Sequence, residues 1–100
     1  MGDKNCPVER TVNLIGGKWT LLILRDLFTG TKRFGELRAS LMGVSPKTLT
    51  DKLRELESNG LIQRTIYPEV PPRVEYNLTK RGKSMQKIFD AMTAWGTDYA

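Results

Sequence analysis

The sequence contains no histidine and a single cysteine. The first absence removes the commonest general base and the commonest metal ligand. Together they leave no donor set for a zinc site, which needs several Cys or His ligands. One cysteine cannot close an internal disulfide, which fits a reducing, cytoplasmic setting. No apolar run approaches the roughly 18 residues needed to span a bilayer. The opening Met1-Gly2-Asp3-Lys4-Asn5 is polar, is expected to be loose, and lacks the apolar centre of a signal peptide. No membrane partner, metal or cofactor is expected. Gly17-Lys18 does not form a phosphate loop, because Val12 stands where G-x-x-x-x-G-K requires Gly and Trp19 replaces Ser or Thr. Glu55 and Glu57 are two residues apart and so point to different sides of a helix, not to a shared proton. The residues therefore argue against an enzyme.

One hundred residues are enough for one domain with one core. Sixteen Lys plus Arg against eleven Asp plus Glu give a formal charge of +5 and a pI near 9.6. That balance suits a nucleic-acid binder, although many small basic proteins bind none.

The informative stretch runs from Arg33 to Gly60. Phe34, Leu37 and Leu41 recur at helical spacing, with Arg33, Glu36 and Arg38 facing solvent. Met42-Gly43-Val44 breaks the pattern with the short Gly-containing turn of a helix-turn-helix. Ser45-Pro46 restarts it: a Ser oxygen can accept from a first-turn amide, and Pro fits the first helical position. Leu49, Leu53 and Leu56 mark one buried face. Lys47, Asp51, Arg54 and Ser58 fall opposite, with Thr48 and Thr50 on the flanks. Such a face can reach phosphates and base edges in a major groove, or can be an ordinary solvated surface.

Before this stretch, Pro7 opens a first helix in which Val8, Val12 and Ile15 share a face, ended by Gly16-Gly17. A second helix from about Lys18 to Phe28 is apolar almost all round and should centre the core. After Asn59-Gly60 the period becomes two: Ile62 and Ile66 are read as alternating with Arg64, then Val74, Tyr76 and Leu78 with Glu75 and Asn77. Pro68-Glu69-Val70-Pro71-Pro72 between them cannot be helix. Two strands joined by a stiff proline loop, directly after a helix-turn-helix, describe a winged helix. Arg64 and Arg73 flank the loop, placed for phosphates or the narrow minor groove. A plain surface hairpin is the other reading.

From Thr79 onward, Met85, Ile88, Met92, Trp95 and Tyr99 step by three and four, with Phe89 widening the seam. The seam can dock on its own domain or pack against a second subunit, and its position and bulk favour the second. Thr79-Lys80-Arg81-Gly82-Lys83 adds positive charge at its start.

Cys6-Pro7-Val8-Glu9, Gly16-Gly17-Lys18-Trp19, Arg33-Phe34 with Glu36-Leu37, Ser45-Pro46-Lys47, Leu53-Arg54-Glu55-Leu56, Gly60-Leu61 and Tyr67-Pro68-Glu69-Val70-Pro71-Pro72-Arg73-Val74-Glu75-Tyr76 follow in order. Together they resemble the HxlR-type winged-helix regulators, bacterial relatives of the MarR family, over nearly the whole chain from Cys6 to about Trp95. The resemblance implies a single mainly α domain with a small β-hairpin: a helix-turn-helix at about 33–60, a wing at about 61–78 and dimerisation helices at about 7–15 and 80–99. It also implies a homodimeric transcription factor on double-stranded DNA with an inverted-repeat operator, and a repressor is expected. Arg33, Ser45, Pro46, Lys47, Thr48, Thr50, Asp51, Arg54, Arg64 and Arg73 would face DNA. Val8, Val12, Met85, Ile88, Phe89, Met92, Trp95 and Tyr99 would form the dimer interface. Some regulators of this kind use a cysteine at the place of Cys6 to detect oxidants or electrophiles. Its position beside the N-cap of the first helix, near Lys4 and Arg10, favours a thiolate. The alternative is a small apolar residue packed in the interface. A generic basic binder and a protein-interaction module remain the competing functions.

Overall fold

Helix starts and stops along this chain are written in local chemistry, and the computed structural model, which describes residues 6–100, follows them. The loose opening expected for residues 1–5, and Lys4 with it, lies outside the described residues. Pro7 opens α1 (Pro7–Ile15) and Gly17, at φ 102°, turns the chain into α2 (Lys18–Leu27). After β1 (Lys32–Arg33) come α3 (Phe34–Ser40) and α4 (Pro46–Ser58). The turn between them uses Gly43 at φ 92°, and Ser45 Oγ caps α4 by accepting from the Thr48 amide at 3.0 Å. Gly60, at φ 72°, closes α4. The Leu61 amide donates to the Leu56 carbonyl and the Gly60 amide to the Glu57 carbonyl, both at 3.0 Å. This left-handed cap satisfies carbonyls that the helix end would otherwise orphan.

The strands β2 (Ile62–Tyr67) and β3 (Arg73–Leu78) pair antiparallel in a register running from Ile62–Leu78 to Tyr67–Arg73. β1 adds to the free edge of β3, so the sheet has three strands in the order β1-β3-β2. The two-stranded hairpin expected from the sequence is thus one strand short. Lys32-Arg33 is too brief to carry a period of its own, and its pairing is set by the partner strand.

The long C-terminal helix expected from residue 80 is two helices, α5 (Lys80–Lys83) and α6 (Gln86–Tyr99). Thr79 Oγ1 accepts from the Gly82 amide at 3.1 Å and donates to the Gly60 carbonyl at 2.6 Å, tying α5 to the end of α4. A Cβ at Gly82 would sit 2.1 Å from the Leu61 carbonyl oxygen, so only glycine lets α5 approach so closely. The chain then turns at Ser84 and drops Met85 into the core.

That core is centred on α2, as its all-round apolarity predicts. Ile23, Leu24 and Leu27 are buried against Leu37 and Leu41 of the first helix-turn-helix element, Leu49, Leu53 and Leu56 of the second, Leu61 of the turn that follows, and Ile62 and Leu78 from the sheet. Burying one such side chain contributes about 1.5–3 kcal/mol, so this shared contact fixes the tilt of α4 relative to the wing. α6 contributes no fully buried residue, and Phe89 anchors it through a tilted contact with Phe28, ring centroids 5.2 Å apart.

Candidate nucleic-acid interface

Burying Leu49, Leu53 and Leu56 turns Lys47, Asp51, Arg54 and Ser58 outward and leaves Thr48 and Thr50 half-buried at the edges, as the spacing predicts. Lys47 Nζ lies 2.8 Å from Asp51 Oδ2 one turn on. That hydrogen bond lowers the Asp51 carboxyl from its ordinary value; desolvation opposes it, and the charges of Lys47, Arg54 and Lys52 add to the lowering. Lys52 leans on Glu55 at 3.4 Å. Arg54 forms no ion pair among the described residues, so its guanidinium is the free charge on this face. Ser45 donates its hydroxyl to Thr48 Oγ1 at 3.0 Å, fixing both side chains at the helix start beside Pro46. Arg33, exposed, stands at the junction of β1 and α3, where its amide donates to Glu36 Oε1 at 2.8 Å.

The two wing arginines sit differently from the sequence reading, which left both free for phosphate. Arg64 does not alternate with Ile62 and Ile66 but shares their face, because residues two apart on a strand point the same way, and it lies directly across from Tyr76. That face turns toward α4, and Arg64 Nε reaches Glu57 Oε1 at 3.6 Å. Thr50, Leu53, Arg54, Glu57, Arg64 and Tyr76 together line a cleft of about 140 Å³ between α4 and the sheet. Burial raises the Tyr76 phenol above its usual value; Glu57 adds to this, while Arg64 and Arg54 oppose it. Arg73 is held by Glu69 and Glu75, with Nη2 3.0 Å from Glu69 Oε2 and Nη1 2.5 Å from Glu75 Oε2. Its guanidinium lies 3.9 Å over the Tyr67 ring. Glu57, Tyr67, Glu69 and Glu75 were absent from the sequence reading of the site. For the three glutamates the only signal was a charge opposite to the arginines, and Tyr67 carried none.

The expected dimer residues also divide. Met85 is 7% exposed and belongs to the protomer's own core, which corrects its assignment to the seam. The helix break at Ser84 rotates it inward. Ile88 and Phe89 pack half-buried against the same core. Met92, Trp95 and Tyr99 stay exposed on α6, with the Trp95 and Tyr99 rings 5.5 Å apart, and Val8 and Val12 stay exposed on α1. Cys6 is half-buried at the N-cap of α1, where its carbonyl accepts from the Arg10 amide at 2.9 Å. No helix among the described residues is long and apolar enough to cross a membrane.

A helix-turn-helix followed by a small antiparallel sheet, with terminal helices on either side, defines a winged helix-turn-helix protein. The family model described as HxlR-like helix-turn-helix matches residues 14–100, and the chain belongs to that family of winged-helix transcriptional regulators. It is 50% identical over 94 residues to an uncharacterised HTH-type transcriptional regulator of Synechocystis, covering 94% of this chain and 70% of the relative. The redox regulator HypR in its oxidised form superposes with a TM-score of 0.90 at 41% identity, over 95% of this chain and 98% of that one. The reduced form of the transcriptional regulator YodB from Bacillus subtilis gives a TM-score of 0.81 at 36% identity, over 95% and 94% of the two chains. The family and these relatives are regulators of transcription, not enzymes.

Proposed function

We propose that this chain is a homodimeric repressor that binds an inverted-repeat operator in double-stranded DNA and responds to oxidants through Cys6. The observation that carries the DNA reading is the outward face of α4. Lys47 and the unpaired Arg54 stand outward, with Thr48 and Thr50 half-buried at the two edges, on a helix whose first residues, Pro46 and Lys47, are exposed. Arg54 suits a bidentate base contact, and Lys47, once it leaves Asp51, a phosphate. The dimer reading is supported by the exposed apolar side chains of α1 and α6. Val8, Val12, Met92, Trp95 and Tyr99 leave water only if a second copy covers them. A two-fold dimer sets its two recognition helices about 34 Å apart, one turn of duplex, and so reads an inverted repeat.

The redox reading is supported by a half-exposed thiol at the N-cap of α1, on the element that carries Val8 and Val12. With a single cysteine per chain, two Cys6 thiols can join between subunits. Each loses its proton, and the pair gives two electrons to the oxidant. The new bond re-angles α1 and changes the spacing of the recognition helices.

Mobility shift with the protein's own upstream DNA, at two salt concentrations and with and without diamide, tests the DNA and redox parts. Specific binding that diamide abolishes in wild type but not in Cys6→Ser is the expected result. Binding equally tight to any duplex would leave a generic basic protein. Indifference to diamide would make Cys6 a packing residue.

A further inference from the structure

A cavity of about 350 Å³ lies where the end of α2, the end of β3 and the start of the C-terminal helices meet. None of its lining residues belongs to the outward face of α4 or to the exposed apolar side chains of α1 and α6. Its buried wall is apolar: Leu27 and Leu78 reach it from the core, and the half-buried Phe28 closes one side. Its outer wall is polar, with the exposed Thr31, Lys83 and Gln86 and the half-buried Asn77. Each of these four side chains can donate a hydrogen bond, and no carboxylate lines the space. Gln86 uses one amide hydrogen on Asp90, Nε2 to Oδ1 at 2.9 Å, and Asn77 uses one on the Leu78 carbonyl at 3.4 Å. Each carboxamide keeps a second hydrogen. Lys83 forms no ion pair among the described residues.

We infer that this cavity binds a small aliphatic monocarboxylate, with the carboxylate on Lys83 and its neutral donor neighbours and the chain against Leu27, Phe28 and Leu78. An apolar wall facing a few convergent polar groups is the usual make-up of a small-molecule site, and a volume near the lower end of such sites, about 300 Å³, calls for a small occupant. The charge of the occupant follows from the donors. One ammonium compensates one negative charge, whereas a phosphate monoester brings about two and would leave the second unpaired beside leucine side chains. The shape of the chain follows from the buried wall. Its one ring, Phe28, is already packed on Phe89, so the two leucines set the contour and favour a flexible aliphatic body. Phe28 also gives the site a consequence, because the same ring seats α6 through Phe89. An occupant in contact with Phe28 acts on that seat, and so on the helix whose exposed residues the dimer reading uses. This coupling rests on the DNA-binding reading above and adds a small-molecule input that does not pass through Cys6; the site itself stands without it.

Hexanoate is the probe, with acetate (the head alone) and 1-hexanol (the chain alone) as controls. Added at millimolar concentration to the DNA-free protein, hexanoate should shift the amide resonances of residues 27–31, 77–78 and 83–86. Acetate and 1-hexanol should shift them far less. From butanoate to hexanoate, affinity should rise by about fourfold per methylene, the gain from burying one CH₂. Lys83→Met keeps the length of an exposed side chain and removes its charge. It should weaken hexanoate by about tenfold or more and leave 1-hexanol unchanged. Hexanoate that shifts none of these amides overturns the site. So does acetate acting as strongly, which would mean an anion on surface lysines, or Lys83→Met binding hexanoate as wild type does. The coupling has its own readout: saturating hexanoate should change operator affinity in wild type but not in Lys83→Met. Unchanged affinity in wild-type protein that binds both hexanoate and operator overturns the coupling. The resonance shifts need no DNA, so a chain that binds no duplex would sink the DNA reading while the site is still judged on hexanoate alone.

Discussion

Arg64 of β2 and Glu57 of α4 form an ion pair across the turn that joins helix to wing, Nε to Oε1 at 3.6 Å. Both side chains are roughly two-fifths exposed, so the pair adds only about 0.2–1 kcal/mol to stability. Its larger effect is on charge: Arg64 enters any DNA complex already neutralised. Arg64→Ala should therefore change the salt slope less than Arg54→Ala does, although both remove one positive charge. Glu57→Gln should steepen the slope by freeing Arg64. Equal slopes for the two alanine variants would mean that Arg64 abandons Glu57 on binding.

Lys47 and Arg54 differ in the same respect. Replacing either by Ala should cost about 1–3 kcal/mol of operator binding if it touches a base. For Arg54, free of partners, the loss should depend on sequence. Lys47 must first leave Asp51, so Asp51→Asn should tighten binding to all duplexes at low salt. The lowered Asp51 pKa gives stability that is present above the unfolded value near 3.8 and is lost as pH falls through the lower folded value. Titrating DNA affinity between about pH 5 and 7 should show no Asp51 step.

Tyr76 makes the opposite statement at high pH. Its phenol, raised above 10.0 chiefly by burial, favours the protonated form in the fold. Stability is fully present below the unfolded value and declines as pH rises through the higher folded one. Tyr76→Phe should flatten that decline in denaturant titrations above about pH 10. An identical decline in the variant would place the alkaline sensitivity elsewhere.

Two glycines give opposite signs under one substitution. Gly35→Ala, inside α3 with open space around its Cβ, should stabilise by about 0.4–1 kcal/mol. Gly82→Ala drives a methyl to 2.1 Å from the Leu61 carbonyl oxygen and should destabilise by more than that, separating α5 from β2. Thermal melts of both variants check the pair. A neutral Gly82→Ala would mean that α5 can shift without cost.

Much of this was legible in the sequence. Leucines at steps of three and four, with Ser45-Pro46 ahead and Asn59-Gly60 behind, give α4 and its cap because those signals are local. Lys32-Arg33 gave no strand signal, since two residues have no period. Met85 fitted the seam by counting, yet the count ignored Gly82, which seats α5 against Leu61, and Ser84, which ends it ahead of the buried Met85. The charges of α4 and the wing were visible, but the partners of the wing arginines were not. Glu57 meets Arg64 through a chain reversal, and Arg73 meets Glu69 through the proline loop, both fixed only when the sheet forms.

The proposed dimer rests on what α6 leaves uncovered. Trp95 is 62% exposed and Tyr99 75%. Met92→Ala with Trp95→Ala should shift the protein toward monomer in sedimentation while the melting of the core, which uses neither residue, changes little. A wild-type chain that sediments as a folded monomer at micromolar concentration would remove the dimer.

The seating of α6 has a mechanical consequence. Beyond the Phe28–Phe89 contact the helix runs on for ten residues to Tyr99 with none of them buried. At 1.5 Å per residue that is a lever of about 15 Å beyond a seat made by Ile88 and the Phe28–Phe89 pair. A tilt of about 10° at that seat carries the far end through roughly 2.6 Å, about half a helical turn's rise. Small repacking around Phe28, which ends the helix at the centre of the core, is thus magnified where a second subunit would be held.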